Sequence, residues 1–274
     1  MSANGESLFN LSNKVAVVTG GIGLLGKYFC SGLAEHGASV AIIDIDREKL
    51  TSFEEELARK TNSQVKGYVC DVSNPESVAD TIDKIVQDFG KIDVLHNNAA
   101  SKSDDLTAFF SPFEEYDLDQ WREIMSVNLD GMFLMAQSVG NQMIRQGYGG
   151  SIIQTSSIYG ISGPDSRIYE GSEFYGQAIN TPAVYSASKA GVVGLSKYLA
   201  TYWAGQQIRV NTLTPGGVES GQNETFVRKY SSRVPMARMG KPSEMVGALL
   251  FLASDASSYV TGQNIIIDGG LTTW

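Results

Sequence analysis

Tyr185 and Lys189 stand four positions apart and carry side chains that can work together. They follow Thr181-Pro182, which is typical of the cap and first position of a helix, so both side chains are expected on one helix face. A phenol has a pKa of about 10, and an ammonium about 4 Å away favours the phenolate by about 4 kcal/mol at an effective dielectric of about 20. The pair could therefore accept a proton from an alcohol near neutral pH, although alone such a pair is more often a surface contact.

Ser157 and Asn128 are candidates for the same site. Ser157 follows the apolar segment GSIIQTS, at the carboxyl end of a predicted strand, where its hydroxyl could bind a substrate carbonyl oxygen or cap the turn. Asn128 falls on the apolar stripe of a helix predicted over 118–147, and a buried amide must find hydrogen-bond partners. We expect Asn128 either to serve the site or to tie its helix to a neighbouring loop.

A glycine-rich turn follows the first predicted strand. Gly21, Gly23 and Gly26 spell G-x-G-x-x-G between that strand and a helix, which lets backbone N–H groups and the helix N-terminus approach a pyrophosphate. The alternative is a glycine-rich turn without a ligand. The predicted cofactor contacts in this turn are Gly20, Gly21, Ile22, Gly23, Leu25 and Gly26.

Asp44 ends the second predicted strand, 18 positions after Gly26. A carboxylate there can accept both hydroxyls of an adenosine ribose, or it could cap the next helix. A 2′-phosphate about 4 Å away would cost on the order of 4 kcal/mol per unit charge, and no Arg or Lys stands at 21–25 or at 45. We therefore expect NAD rather than NADP. Further predicted cofactor contacts are Ile45, Asp71 and Val72, and Asp71 has an alternative role as a helix cap.

Short β-branched segments alternate with longer amphipathic segments along the chain. The predicted strands are 14–19, 39–44, 64–70, 91–96, 150–156, 208–215 and 264–270, and the predicted helices are 24–36, 46–60, 74–89, 118–147, 183–205 and 242–254. Apolar strands separated by helices indicate a parallel sheet covered on both faces. Seven of them favour an open, doubly wound α/β sheet over an eight-stranded barrel. We expect one domain over 13–274, after a loose polar segment at 1–12.

Three polar stretches lie outside this alternation, at 101–117, 158–182 and 216–240. Each follows a predicted strand, and ligands of open α/β sheets bind beyond the carboxyl ends of the strands. The three stretches are therefore candidate walls of a binding site, and the third contains one predicted short helix.

The motifs together resemble the short-chain dehydrogenase/reductase superfamily over almost the whole chain. They are T-G-x-x-G-x-x-G at 19–26, Asn97-Asn98-Ala99-Ala100, Val127-Asn128-Leu129, Ser157, Tyr185-Ser-Ala-Ser-Lys189, Pro215-Gly216 and the tail FLASDASSYVTGQNIIIDGG. The resemblance implies a Rossmann-type fold and hydride transfer between a nicotinamide and a secondary alcohol or ketone. It also implies a homodimer or homotetramer formed through the helices at 118–147 and 183–205.

The resemblance implies a role for each matching residue. Tyr185 would be the general acid and base, and Lys189 would lower the pKa of Tyr185 and hold the nicotinamide ribose. Ser157 would orient the substrate oxygen, and Asn128 would support a water-linked proton relay. The remaining implied cofactor contacts are Asn98, Ala99 and Ala100 on the adenosine side and Pro215, Gly216, Val218 and Ser220 at the nicotinamide.

Two departures from the family pattern affect the pyrophosphate geometry and the substrate. Leu24 occupies the second glycine's place in the usual T-G-x-x-x-G-x-G, and the spacing resembles the longer branch rich in nucleotide-sugar epimerases and dehydratases. Ser157 and Tyr185 are 28 positions apart, further than is common, because of an insert at about 161–180. An NAD-retaining sugar epimerase or dehydratase is therefore the alternative function, and a non-enzymatic NAD-binding regulator is a further one.

The insert carries polar, aromatic and charged side chains. A steroid or fatty acyl substrate would need an apolar lining, so this composition favours a hydroxyl-rich, sugar-like molecule. Arg167 could bind a phosphate or carboxylate group of that molecule. The candidate substrate contacts are Lys102, Arg167, Tyr169 and Tyr175, and the alternative is a solvated loop or a subunit contact.

Composition argues against several classes of function. The 274 residues carry a net charge of −9, so nucleic acids and anionic membranes are not expected as partners. The sequence has no long apolar run and no secretory signal pattern. Two cysteines and two histidines argue against a disulfide framework and a metal site. We expect a small-molecule substrate, no metal and a cytoplasmic location.

Overall fold

The computed structural model describes residues 7–103, 105–174 and 176–274 and is built on one seven-stranded parallel sheet. The strands in chain order are β1 (Val15–Thr19), β2 (Ser39–Asp44), β3 (Val65–Val69), β4 (Val94–Asn97), β5 (Gly150–Thr155), β6 (Glu173–Phe174), β7 (Gln177–Ala178), β8 (Ile208–Pro215) and β9 (Asn264–Ile267). The sheet order is β3-β2-β1-β4-β5-β8-β9, and β6 and β7 form a separate antiparallel hairpin. The predicted doubly wound α/β sheet is confirmed.

The helices in chain order are α1 (Leu24–Glu35), α2 (Arg47–Lys60), α3 (Pro75–Phe89), α4 (Leu106–Phe109), α5 (Leu118–Met125), α6 (Gly131–Gln146), α7 (Ala183–Tyr202), α8 (Glu224–Ser231) and α9 (Val246–Ala253). Five of the described helices, α2, α3, α4, α5 and α8, begin at a residue whose side chain caps the first turn. In α3, the Asn74 side chain accepts from two backbone N–H groups and Pro75 takes the first position. Gly90 ends the helix at φ 80°, a left-handed conformation that favours glycine. The short helix expected within 216–240 is α8.

Helices cover both faces of the sheet, and alternate strand residues divide between the two faces. Val18 packs with Phe29 of α1 and Leu249 of α9 in one apolar cluster. The next residue toward the N-terminus, Val17, belongs to the opposite cluster together with Ile82 of α3. These side chains are buried on both faces of the sheet, and the strand sequences are therefore nearly continuous apolar runs.

The helix predicted over 118–147 contains a wider turn that the apolar pattern did not reveal. Residues Ser126–Asp130 form a π-helical segment between α5 and α6. Asn128 lies within that segment and is fully buried. Wider turns of this kind occur frequently at functional sites, because they redirect one side chain without ending the helix.

Two local expectations are corrected. Pro182, not Thr181, precedes the first residue of α7, and the hydroxyl of Thr181 bonds the phenol of Tyr169 instead of capping the helix. The segment predicted as loose at 1–12 is anchored in its described part. Leu11 is fully buried, and its N–H donates to the carbonyl of His36 at 2.9 Å.

Among the helices that the structure describes, none combines the length and the apolar character needed to cross a membrane. The His, Cys, Asp and Glu side chains of the same residues form no group of three or more that could hold a metal ion.

Candidate active site

A cleft of about 1020 Å³ lies beyond the carboxyl ends of the strands. The sheet order reverses between β1 and β4, since β2 pairs with β1 on one side and β4 pairs with it on the other. Ligands of doubly wound sheets bind at this switch point. The cleft extends from the β1 and β2 ends to the β5 and β8 ends, so it spans most of the predicted site.

The glycine-rich turn forms one end of this cleft. Gly20 has φ 62°, and a Cβ there would lie 2.9 Å from the Cα of Ala99. A Cβ on Gly26 would meet the Gly20 carbonyl oxygen and would lie 2.8 Å from the Cα of Gly21. Gly20 therefore permits the turn, and Gly26 lets α1 pack against it. Gly21 and Gly26 lie behind the cleft wall, which Gly20, Ile22, Gly23, Leu24 and Leu25 line.

The N-terminus of α1 faces the cleft without a side-chain cap. Gly23 occupies the cap position, and the first turn carries no acidic residue. The leading N–H groups of a helix lack intrahelical partners and attract negative charge. An uncapped helix start against a close-packed glycine turn fits a pyrophosphate, so the residues at this end fit a dinucleotide.

Asp44 joins the second strand to the glycine-rich turn. One carboxylate oxygen accepts from the N–H of Ile22 at 3.2 Å, and the other accepts from the N–H of Ile45 at 2.8 Å. Asp46, not Asp44, caps α2. Asp44 lines the cleft and keeps lone pairs free, as a partner for ribose hydroxyls requires.

Lys49 is a cation near Asp44 that lies outside positions 21–25 and 45, where the sequence has no Arg or Lys. It lies one turn into α2 and lines the cleft beside Asp44. Its Nζ lies 2.6 Å from a carboxylate oxygen of Asp46, and that carboxylate raises the pKa of Lys49. The helical spacing from the Asp46 cap could have revealed this residue.

Part of the cleft wall combines the ends of β3 and β4. Asp71 accepts from the backbone N–H of Ser73 at 2.9 Å, and Asn74 caps α3, so the alternative role of Asp71 as the cap does not hold. The hydroxyl of Thr19 accepts from the N–H groups of Asn98 and Ala99 at 2.8 and 3.0 Å. The cleft residues on this side are Asp71, Val72, Asn98, Ala99, Ala100 and Lys102.

Tyr185, Lys189 and Ser157 meet at the middle of the cleft, which all three line. The Nζ of Lys189 donates to the carbonyl oxygen of Thr155 at 3.0 Å and lies 5.9 Å from the ring centre of Tyr185. That bond uses one of the three ammonium donors, which leaves the others for a ligand. Burial lowers the pKa of Lys189 to about 8, so the amine is still largely protonated at neutral pH.

The expected lowering of the Tyr185 pKa does not occur. Burial raises the pKa of Tyr185, and a hydrogen bond with Ser157 offsets this only in part. The Lys189 ammonium donates to the carbonyl of Thr155 and is not among the causes that shift the pKa of Tyr185. The phenol is therefore protonated in the ligand-free protein.

Asn128 lies behind the cleft rather than in its wall. Its Oδ1 accepts from the N–H of Ser101 at 2.7 Å, and its Nδ2 donates to the carbonyl of Ser101 at 3.3 Å. The amide thus ties the π-helical segment to the loop that follows β4. This is the tethering role that sequence reasoning kept open for it.

The turn after β8 forms the wall opposite α1. Pro215, Gly216 and Val218 line the cleft, whereas Ser220 is exposed and lies outside it. The N–H of Ser220 donates to Oε1 of Gln222 at 2.8 Å. Ser220 is therefore corrected from a cofactor contact to a turn residue.

The insert divides into a buried side and an exposed side. Tyr169 lines the cleft. Arg167 points away from it, with a side chain that is 76% exposed and paired with Asp165 at 2.8 Å. The expectation that Arg167 clamps an anionic substrate group is therefore wrong, because a three-residue 3₁₀ turn at Ser166–Ile168 turns it outward. Tyr175, the remaining predicted contact, lies outside the described residues.

Nine further cleft residues lie in the three predicted wall stretches at 101–117, 158–182 and 216–240, but sequence reasoning did not name them as contacts. They are Phe109, Phe110, Tyr159, Asn180, Thr181, Gln222, Phe226, Tyr230 and Met239. Tyr159 stands two positions after Ser157, so its place beside the reaction centre could have been inferred. The α8 residues lie in the predicted wall stretch 216–240, but which of them face the cleft depends on how that segment folds back.

Comparisons with known proteins find relatives over almost the whole chain. A family model described as enoyl-(acyl carrier protein) reductase matches residues 23–272. The chain is 40% identical over 265 residues to a 3-oxoacyl-(acyl-carrier-protein) reductase of Thermotoga maritima, covering 95% of this chain and 98% of that protein.

Two solved structures resemble the whole chain. A gluconate 5-dehydrogenase from Burkholderia cenocepacia J2315, in complex with NADP and tartrate, is 32% identical with a TM-score of 0.85, covering 97% of this chain and 98% of that one. An NAD⁺-bound xylitol dehydrogenase is also 32% identical with a TM-score of 0.83, covering 95% and 99%. The similar structures thus include complexes with each of the two nicotinamide dinucleotides.

Proposed function

Because the chain belongs to the short-chain dehydrogenase/reductase family, we propose that it is an NAD-dependent dehydrogenase of a polyol or another sugar-derived secondary alcohol. The observation that carries this proposal is the placement of Tyr185 in the cleft, bonded to Ser157 and next to Lys189. The polar wall built by the insert beside them supports a hydroxyl-rich substrate.

Each residue of the centre has a defined task in this reaction. Bound NAD supplies the hydride acceptor. Tyr185 takes the hydroxyl proton of the substrate, and Ser157 orients the substrate oxygen toward the phenol. The free donors of Lys189 hold ribose hydroxyls, and its charge favours the phenolate against the cost of burial. Asn128 acts indirectly, by holding the Ser101 backbone that borders the cleft.

The proposed preference for NAD rests on Asp44. Its carboxylate is fixed by the N–H groups of Ile22 and Ile45, so it cannot easily move away from a 2′-phosphate. The neighbouring cation, Lys49, is neutralised by Asp46 at 2.6 Å. The repulsion of a 2′-phosphate is therefore only weakly offset.

We also propose that the protein works as a homo-oligomer in the cytoplasm. Exposed apolar side chains on α5, α6 and α7 support subunit contacts there; they are Leu118, Phe133, Tyr198 and Tyr202. Cys30 and Cys70 are buried free thiols, which fits a reducing compartment.

A second candidate is reduction of an acyl-thioester ketone. The 40% identity to a 3-oxoacyl-(acyl-carrier-protein) reductase favours it, as do the aromatic side chains of Phe109 and Phe110 in the cleft. The hydroxyls of Tyr159, Tyr169 and Thr181 in the same cleft favour the polyol instead. Acetoacetyl-CoA with NADH separates the two, because the polyol proposal predicts a much lower kcat/KM for it than for the best polyol.

The catalytic assignment is tested with Tyr185→Phe. We expect NAD-dependent oxidation of xylitol, D-threitol, D-arabinitol or gluconate to fall by about 10²-fold or more, with NADH affinity kept, because only the proton acceptor is lost. Tyr259→Phe is the control, since Tyr259 is fully exposed and lies outside the cleft. Near-normal turnover of Tyr185→Phe on the best substrate would contradict the assignment.

A further inference from the structure

Three hydroxyl groups from three separate segments join in the substrate half of the cleft. The phenol oxygens of Tyr159 and Tyr169 lie 3.2 Å apart, and the phenol of Tyr169 bonds the hydroxyl of Thr181. Tyr159 follows Ser157 by two positions, Tyr169 belongs to the insert, and Thr181 precedes α7. All three line the cleft. We call them the hydroxyl wall.

Tyr169 is fixed in this wall from both its ring and its backbone. Its ring packs on Phe226 of α8, with the ring centres 5.5 Å apart. The Nζ of Lys229, also on α8, donates to the carbonyl oxygens of Arg167 at 3.1 Å and Glu170 at 2.7 Å. These two carbonyls flank Tyr169 in the chain, so its phenol is held in place before any ligand binds.

The hydroxyl wall is suited to a neutral hydroxyl group. Each hydroxyl donates one hydrogen bond and accepts two, so the bonds within the wall leave lone pairs free. Burial raises the pKa of Tyr159, which therefore stays protonated and uncharged. A polyol hydroxyl both donates and accepts, and a wall of rotatable O–H groups can match either role.

The wall borders the reaction centre on two sides. Tyr159 belongs to the turn that follows Ser157, and Thr181 lies four positions before Tyr185 in the chain, just outside α7. Tyr169 lies close enough to Tyr185 to help raise the pKa of that phenol, although burial is the larger cause. A substrate whose reacting oxygen lies between Ser157 and Tyr185 therefore shares the cleft with the hydroxyl wall, which can receive a neighbouring hydroxyl.

We propose that Tyr169, held by Tyr159 and Thr181, binds the hydroxyl on the carbon next to the one oxidised, so that the enzyme selects vicinal diols. This inference rests on the proposed function and adds the feature of the substrate that is recognised. A buried polar site discriminates strongly against an analogue that lacks the matching hydroxyl, because the site is then left with unsatisfied groups.

The test uses meso-butane-2,3-diol and butan-2-ol, which differ by that one hydroxyl. We expect the wild type to prefer the diol by about tenfold or more in kcat/KM. Tyr169→Phe should lower kcat/KM for the diol by about 5- to 20-fold, mostly through KM, and leave butan-2-ol unchanged. Thr181→Val removes a partner of the same phenol and should shift the ratio in the same direction. Tyr259→Phe, at a fully exposed position outside the cleft, should leave the ratio unaltered.

The outcomes separate this inference from the proposed function. If the wild type oxidises the diol and both Tyr169→Phe and Thr181→Val keep the diol preference, the recognition role is overturned while the dehydrogenase stands. An equal loss on both substrates would also overturn it, because Tyr169 would then only shape the cleft. If the wild type oxidises neither these probes nor any polyol, the proposed function fails and this inference fails with it.

Discussion

The cofactor end and the substrate end of the cleft are built by different means. At the cofactor end the contacts are mainly backbone contacts, such as the N–H of Ile22 on Asp44 and the N–H of Asn98 on Thr19. At the substrate end the side chain of Tyr169 in the insert contacts Phe226 of α8 and Tyr159 of the Ser157 turn. Backbone contacts require glycines and strand ends at fixed places, whereas side-chain contacts can be made by many residue types. The first kind leaves a readable pattern in the sequence, and the second does not.

The largest effect expected from this difference concerns Asp44. The wild type should bind NAD about a hundredfold tighter than NADP, because a fixed carboxylate repels the 2′-phosphate. Asp44→Ser removes both the repulsion and the acceptor for ribose hydroxyls, so the ratio should shift by about a hundredfold toward NADP. Titration calorimetry with both cofactors measures this shift.

Glu48→Gln is the control for that titration. Glu48 carries the same charge on the first turn of α2, but it is exposed and lies outside the cleft. We expect it to leave the ratio within about twofold, because a solvated charge is screened. Equal affinity of the wild type for NAD and NADP would show that Asp44 does not select the cofactor.

A smaller effect is expected at the substrate end. Lys229→Met removes the ammonium that holds the carbonyls on either side of Tyr169, so kcat/KM for the best polyol should fall by about 3- to 10-fold with NAD affinity unchanged. Arg167→Ala is the matched control in the same insert, since its side chain is exposed and paired with Asp165. Steady-state kinetics measures both variants. If Arg167→Ala loses activity and Lys229→Met does not, our assignment of the exposed side and the cleft side of the insert is wrong.

The sequence was sufficient for the sheet and for the glycine-rich turn. Strand β1 could be predicted because a continuous apolar run is typical of a strand that is buried on both faces. Gly26 could be predicted because a side chain at that position would collide with the neighbouring backbone. The position of Asp44 follows from the end of β2. The same reasoning brings Tyr185 and Lys189 together, since both lie on one helix at a spacing of one turn.

Other features depended on folding that no local pattern encodes. Arg167 was expected in the cleft, but whether it or Tyr169 faces inward is decided by packing on α8. Thr181 resembles a helix cap in the sequence, yet its hydroxyl finds a better placed partner in Tyr169. The pKa of Tyr185 depends on how deeply the phenol is buried and on which group the Lys189 ammonium bonds. The four-residue spacing predicts neither the burial nor the bonding partner.

The most direct test of the whole account is the stoichiometry of a complete turnover. The purified protein is incubated with NAD and the best polyol of the panel, and NADH and the carbonyl product are measured together. Hydride transfer from the substrate with proton acceptance by Tyr185 predicts one NADH for each molecule of ketone formed, and formation of both about 10²-fold slower or more with Tyr185→Phe. Conversion of the substrate without net NADH would contradict the account and would favour an enzyme that retains its NAD, such as an epimerase or dehydratase.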